Sequence, residues 1–259
     1  MPDTILRESA DGVLILTLNR PEALNAFTVE MKDGLRAALK DAARDRETRV
    51  LILTGAGRAF SAGQDLKERQ APGAADLGTE LRARYNPIVL AMRMLEKPII
   101  GAVNGVAAGA GASVAFACDI VLAADSASFL EAFGRVGLVP DTGATWFLPR
   151  LIGYARAAEM VFSAEPVDAV TAERIGLVNR VVPADQLIEE ARAMAAKLAA
   201  ASPLALALAK RALNRALESG LEDTLEYEAQ LQSIAGRSKD HAEGVAAFVE
   251  KRRPHFTGE

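Results

Sequence analysis

Short unbroken apolar runs alternate with longer stretches in which apolar residues recur every three or four positions, through about the first 150 residues. Val13 to Leu18 (VLILTL), ended by Asn19-Arg20-Pro21, reads as a strand. Met31, Leu35, Ala38, Leu39 and Ala42 fall at helical spacing, which predicts an amphipathic helix over 28–44 with Thr28 as N-cap. Val50 to Thr54, stopped by Gly55-Ala56-Gly57, is a second buried strand; Ile99 to Val103 and Ile120 to Ala123 read the same way. Helices are expected from Thr79 to Leu95 and from Ser113 to Cys118, with a Gly-, Ala- and Pro-rich surface loop over 70–78. Farther on only Gly176 to Val182 resembles a strand, while 185–200, 203–219, 221–235 and 241–251 read as helices. Strands alternating with helices, then helices alone, predict an α/β core over 1–195 and a C-terminal helical region over 196–259. The segment holding Leu204, Leu206 and Leu208 is apolar enough to be expected against a neighbouring subunit.

Composition narrows the chemistry. The chain has 259 residues, 50% of them hydrophobic, enough for a large core. A net charge of -4 counts against nucleic acid as a partner. No apolar run reaches the roughly 18 residues of a membrane span, and the start, Met1 to Arg7, lacks the pattern of a signal peptide. A soluble cytoplasmic protein is expected. The single cysteine, Cys118, flanked by Ala115, Phe116, Ala117 and Ile120, reads as a buried small apolar position with an inert thiol. The only two histidines, His241 and His255, lie near the C-terminus, so neither a metal site nor a Ser-His triad is expected.

Two small-residue loops follow predicted strands: Ala59 to Leu66 (AFSAGQDL) and Gly105 to Ala112 (GVAAGAGA). Small side chains leave backbone N–H groups accessible, and two converging amides can receive a developing oxyanion. The same loops can equally be tight turns needed for packing. A dinucleotide-binding loop is a poor match, because Gly109-x-Gly111 lacks its third glycine. Asp141 follows Pro140 and precedes a predicted helix, which suits either an N-cap or a general acid/base on a rigid turn. Glu131 reads as a solvated or structural carboxylate.

These loops, in order with Leu18-Asn19-Arg20-Pro21, Lys97-Pro98 through Asp119, Ala127 to Gly143 and the Lys251-Arg252 tail, resemble the crotonase (enoyl-CoA hydratase/isomerase) superfamily over nearly the whole chain. The resemblance implies a ClpP-like spiral of ββα units with a C-terminal helical region that builds a homotrimer or a dimer of trimers. It implies an acyl-CoA substrate, with coenzyme A as part of that substrate and no bound cofactor. By the same resemblance the amides of Gln64 and Ala110 form an oxyanion hole. Ala23, Leu24, Ala62 and Leu66 line the coenzyme A site, Lys251 approaches its phosphates, and Asp65 belongs structurally to its loop.

The departures bear on the reaction. Hydratases of the family add water with two glutamates, and here Ser113 and Phe133 stand at those positions. Asp141 falls where some isomerases and a dehalogenase of the family carry an aspartate. Arg84-Tyr85-Asn86-Pro87, Leu138 to Gly143 and the ending through Phe256-Thr257-Gly258 are similar to the family's bacterial phenylacetate-degradation isomerases. That likeness implies conversion of ring-1,2-epoxyphenylacetyl-CoA to oxepin-CoA and shift of 3-enoyl-CoA to 2-enoyl-CoA, with Asp141 as acid/base. The competing readings are a hydratase working through Asp141 alone and a non-catalytic or RNA-binding relative.

Overall fold

A computed structural model describes residues 3–70, 73 and 75–259. The chain opens with a hairpin in which β1 (Ile5–Ala10) runs antiparallel to β2 (Val13–Leu18). Asp11 and Gly12, at φ +50° and +78°, make the two-residue turn that such hairpins favour. The reading from sequence missed β1, an edge strand with only Ile5 buried.

The first long helix, α1 (Val29–Arg44), buries Met31, Leu35, Ala38, Leu39 and Ala42, and the Thr28 hydroxyl accepts the Met31 N–H at 3.2 Å. From there one unit recurs: a buried strand, a very short strand, then helix. The first unit is β3 (Val50–Gly55), β4 (Ala59–Ser61), then α2 (Leu66–Arg69), α3 (Leu77–Glu80) and α4 (Asn86–Met94). A π-helical turn, Leu81–Tyr85, joins α3 to α4. The helix expected from Thr79 therefore starts two residues earlier, where the Asp76 carboxylate caps it by accepting from Gly78 (3.0 Å) and Thr79 (3.2 Å). Residues 71, 72 and 74 of the loop expected before it lie outside the described residues.

The second unit is β5 (Ile99–Val103), β6 (Val106–Ala108) and α5 (Ala110–Phe116); the third is β7 (Ile120–Ala124), β8 (Ser128–Leu130) and α6 (Ala144–Ile152). Then come α7 (Tyr154–Ser163), β9 (Val167–Asp168), α8 (Ala169–Ile175) and β10 (Arg180–Val182). The strand expected over 176–182 shrinks to β10, because Gly176 (φ +83°) closes α8 and 177–179 lead into the strand.

Two sheets result. The larger has the order β1-β2-β3-β5-β7-β10 and is parallel from β2 onward; the smaller is β4-β6-β8-β9, with only β9 antiparallel. Each unit gives one strand to each sheet, so the chain advances as a spiral. All of β5 is buried, as suits a parallel strand covered on both faces. On one of those faces lies α9 (Leu187–Ala199), through Ala191, Ala195 and Ala199.

The last helices, α10 (Pro203–Ala216), α11 (Leu221–Ala235) and α12 (Lys239–Glu250), are fastened to this core. The Lys210 ammonium donates to the Met92 and Lys97 carbonyls (3.0 and 3.1 Å) and to the Asp119 carboxylate (2.6 Å). Leu204 and Leu206 are half-buried and Leu208 is buried within the chain, so these leucines do not form the exposed surface that their sequence suggests. The most exposed large apolar residues of this region are instead Leu213, Leu221, Phe248 and Val249. Among the described residues no single helix is long and apolar enough to cross a membrane.

Candidate active site

The loop after β4 is built around the Asn25 turn. Leu24 and Asn25 both have positive φ, and the buried Asn25 amide donates to the Ala56 (2.9 Å) and Ala59 (2.7 Å) carbonyls. Ser61 donates to the Asn25 carbonyl at 2.8 Å, and the Ala62 N–H donates to the Leu24 carbonyl at 2.9 Å. Ala23, Leu24 and Ala62 thus come together, while Leu66 opens α2 with an exposed side chain. Asp65 caps α2 by accepting from Lys67 (3.0 Å) and Glu68 (3.2 Å) and pairs with Arg20 at 3.0 Å. Burial works to raise its carboxyl, but these donors outweigh burial and hold it below the usual range.

Phe27 donates to the Gly63 carbonyl (2.7 Å) and accepts from the Asp65 N–H (3.0 Å), so this ladder passes over the Gln64 amide between them. The Gln64 side chain is fixed independently. Its oxygen accepts from Lys32 (3.0 Å) and the Tyr85 hydroxyl (2.7 Å), and its nitrogen donates to the Phe27 carbonyl (3.2 Å). Lys32 is buried and paired with Glu80. The sequence reading missed this network, although Lys32 sits on the same stripe as Leu35 and Leu39.

The opposing amide is that of Ala110. It opens α5, three residues ahead of the expected start at Ser113, so its N–H has no partner within the helix. A Cβ on Gly63 would lie 3.3 Å from the Ala110 nitrogen and 2.7 Å from the Ala108 carbonyl, so the two loops are in direct contact. They lock at Gly111 as well, where a Cβ would meet the Ser61 carbonyl at 2.4 Å and Ser61 Cβ at 2.8 Å. Backbone must move to admit it. Gly111→Ala is expected to lower stability by about 1–3 kcal/mol, the usual cost of overpacking. A denaturant midpoint equal to the parent's would show that the loops are not in this contact.

Asp141 lies beside α5, and its charge bears on Tyr85, whose hydroxyl holds the Gln64 side chain. The Asp141 carbonyl accepts from the Ser113 hydroxyl and from the Ala144 N–H, both at 3.0 Å, and its carboxylate accepts from the Thr142 hydroxyl at 2.7 Å. The N-cap of α6 is Gly143 (φ +89°), with no side-chain cap bond, so the Asp141 carboxylate is not the cap that its sequence position suggested. Burial raises the carboxyl above its ordinary value, with Thr142 opposing. Val139, two residues before Asp141, is 78% exposed and does not wall it off from solvent. Ser113 is occupied by Asp141 and by the Gly109 carbonyl (3.2 Å), and Phe133 is a buried ring beside Gly109. Neither offers a carboxylate.

Glu131 is fully buried and not solvated. Burial, and secondly the Asp141 charge, push its carboxyl up to about 9. Cys118 is buried as expected, and burial pushes its thiol up. Lys251 caps the end of α12, exposed and outside the loop cluster.

Residues 8–259 match the Enoyl-CoA hydratase/isomerase family. The 1,2-epoxyphenylacetyl-CoA isomerase of Escherichia coli (strain K12) is 46% identical over 261 residues, covering 100% of both chains. A "Probable enoyl-CoA hydratase" of Rhodobacter capsulatus is 47% identical over 255 residues, covering 98% of each. The crystal structure of enoyl-CoA hydratase from Bacillus anthracis matches with a TM-score of 0.92 at 37% identity, over 99% of this chain and 100% of that one. The chain belongs to the enoyl-CoA hydratase/isomerase family and has the crotonase fold. It is an enzyme of the acyl-CoA hydratase/isomerase class.

Proposed function

We propose that the chain is an acyl-CoA isomerase in which the Gln64 and Ala110 amides hold the thioester oxygen and Asp141 moves the proton. The observation that carries this reading is the Asp141 carboxyl. It is raised by burial and fixed through its own carbonyl to Ser113, on the helix that begins with Ala110. An oxygen held by two amides spreads the negative charge of an enolate and acidifies the α-carbon. A carboxyl raised toward working pH can take that proton and give it back. The substrates proposed are 3-enoyl-CoA, converted to 2-enoyl-CoA, and ring-1,2-epoxyphenylacetyl-CoA, converted to oxepin-CoA. The E. coli relative named for isomerising the epoxide supports the second.

In the same proposal Ala23, Leu24, Ala62 and Leu66 line the coenzyme A site. Lys251 serves its phosphates from a neighbouring subunit of a homotrimer or dimer of trimers in the cytoplasm. The core over 1–195 carries the chemistry, and the helices over 196–259 carry subunit contacts. Their exposed Leu213, Leu221, Phe248 and Val249 support that role.

The test is product identification from a panel holding crotonyl-CoA, a 3-enoyl-CoA and the epoxide. Without carboxylates at 113 and 133 to order water, hydration is expected to be about 100-fold slower than isomerisation. Equal rates would overturn the isomerase reading in favour of a hydratase that recruits Glu131.

A further inference from the structure

Among the described residues Glu131 is the most deeply buried carboxylate, and neither of its oxygens has a hydrogen-bond partner. A buried polar group in that state normally has a reason. Its neighbours suggest one. Glu131 follows β8 directly and lies two residues on from Phe129, on the same side by strand alternation. Phe129 meets Phe116 of α5, with ring centroids 5.9 Å apart. Because α5 starts where β6 ends, it runs back over the small sheet. Passing from Phe129 to Glu131 therefore moves from Phe116 toward Ser113 and Ala110. Ser113 holds the Asp141 carbonyl, and the Leu130 carbonyl accepts the Gly109 N–H at 2.8 Å. Glu131 thus sits near the start of α5, next to the Leu130 carbonyl that holds Gly109 and within reach of the Asp141 charge.

The surroundings leave Asp141 as the charge that bears on it. Neither β6 nor α5 carries a charged residue. On β9, Asp168 is exposed and caps α8; on α8, Glu173 and Arg174 are exposed; after β8, Arg135 pairs with the exposed Glu165 at 3.6 Å. Because the Asp141 charge is one of the causes that push Glu131 up to about 9, Asp141 ionises first and Glu131 keeps its proton at neutral pH.

We propose that Glu131 is the acid partner of Asp141: its carboxylic acid delivers the proton that completes the double-bond shift. The inference rests on the isomerase reading. The Asp141 carboxylate takes a proton from C2 of a 3-enoyl-CoA, and the C–H electrons enter the dienolate held at its oxygen. The dienolate takes the Glu131 proton at C4, leaving the 2-enoyl thioester and a Glu131 carboxylate. Passage of the proton from Asp141 to Glu131 restores both groups, so one proton leaves and one arrives.

The experiment follows a 3-enoyl-CoA deuterated at C2 through a single turnover by the parent, Glu131→Gln and Asp141→Asn. In the parent the C4 hydrogen is expected to come mostly from the enzyme, with little deuterium carried across. Glutamine keeps the neutral shape of the protonated acid but gives no carboxyl proton. Glu131→Gln is expected to lower kcat about 100-fold with KM little changed, to raise deuterium transfer from C2 to C4, and to remove a pH limb near about 9. Parent-like kcat, pH limb and isotope distribution in Glu131→Gln would overturn the inference and leave Glu131 a structural acid. If that variant does not fold, the parent decides alone: complete deuterium transfer to C4 overturns two-group catalysis. A parent that moves no label from C2 overturns the isomerase reading beneath it, and parent-like turnover by Asp141→Asn overturns the choice of base.

Discussion

Asp141→Asn is expected to lower turnover of 3-enoyl-CoA and of the epoxide by roughly 100-fold to 10,000-fold, the range for a lost general acid–base. The amide keeps the shape of the side chain, and its oxygen still accepts from Thr142. The bonds that fix the turn, from Ser113 and Ala144, go to the Asp141 carbonyl and are untouched. Folding and affinity for the thioester should therefore survive while the proton carrier is gone. The pH profile should change with it. The parent gains activity as pH rises through the elevated Asp141 pKa, and the variant lacks that limb. Stability moves in the opposite direction. A carboxyl raised by folding holds its proton more tightly in the folded state, so its ionisation weakens the fold as pH climbs through the folded pKa. Asp141→Asn is therefore expected to unfold at the same or a higher temperature than the parent at neutral pH. Parent-like turnover in a folded Asp141→Asn protein would leave Asp141 only a structural residue of its turn.

What the sequence disclosed depended on how each element buries itself. β3 and β5 are covered on both faces, and an unbroken apolar run is enough to find them. β1 has one buried residue in six, so its clearest trace was the Asp11-Gly12 turn rather than its own pattern. The small sheet was invisible because β4, β6 and β8 have three residues each and β9 has two, shorter than any period can reveal. That sheet matters, since it sets β4 beside β6 and so brings the Gln64 and Ala110 loops into contact. A candidate acid/base was legible where residue type alone signals one, as in an aspartate behind a proline. It was illegible where burial makes the chemistry. Glu131 lies between Phe129-Leu130 and Ala132-Phe133, and Lys32 falls on the buried stripe of α1. In both cases a charge within an apolar pattern was the available sign. The N-cap reading of Asp141 failed for a local reason: Gly143 completes the turn, and α6 begins only at Ala144.

Ala110→Pro tests the other half of the site, and its expected cost is about 100-fold or more in turnover, the loss typical of one oxyanion-hole donor. Proline is usually a blunt substitution, but Ala110 is the first residue of α5, where a missing N–H breaks no helical bond and the fixed φ suits the helix. The preceding residue is Gly109, which has no Cβ for the ring to strike. The change therefore deletes one donor and places the ring carbon where that N–H pointed, toward the position proposed for the thioester oxygen. Gln64→Ala is the informative contrast. It keeps the backbone amide but strips acceptors from the buried Lys32 ammonium and the Tyr85 hydroxyl. Its expected signature is a lower denaturation midpoint with a smaller loss of turnover than Ala110→Pro: Lys32 keeps Glu80, but the buried Tyr85 hydroxyl loses its acceptor, and a buried donor left unpaired costs about 1–3 kcal/mol of stability. Circular dichroism establishes that each variant is folded, and α-proton exchange on a saturated acyl-CoA reports enolate formation without the later steps. Exchange at the parent rate in a folded Ala110→Pro protein would mean that the thioester oxygen is held elsewhere. Loss of exchange with retained binding of the thioester would place the Ala110 amide at the developing charge.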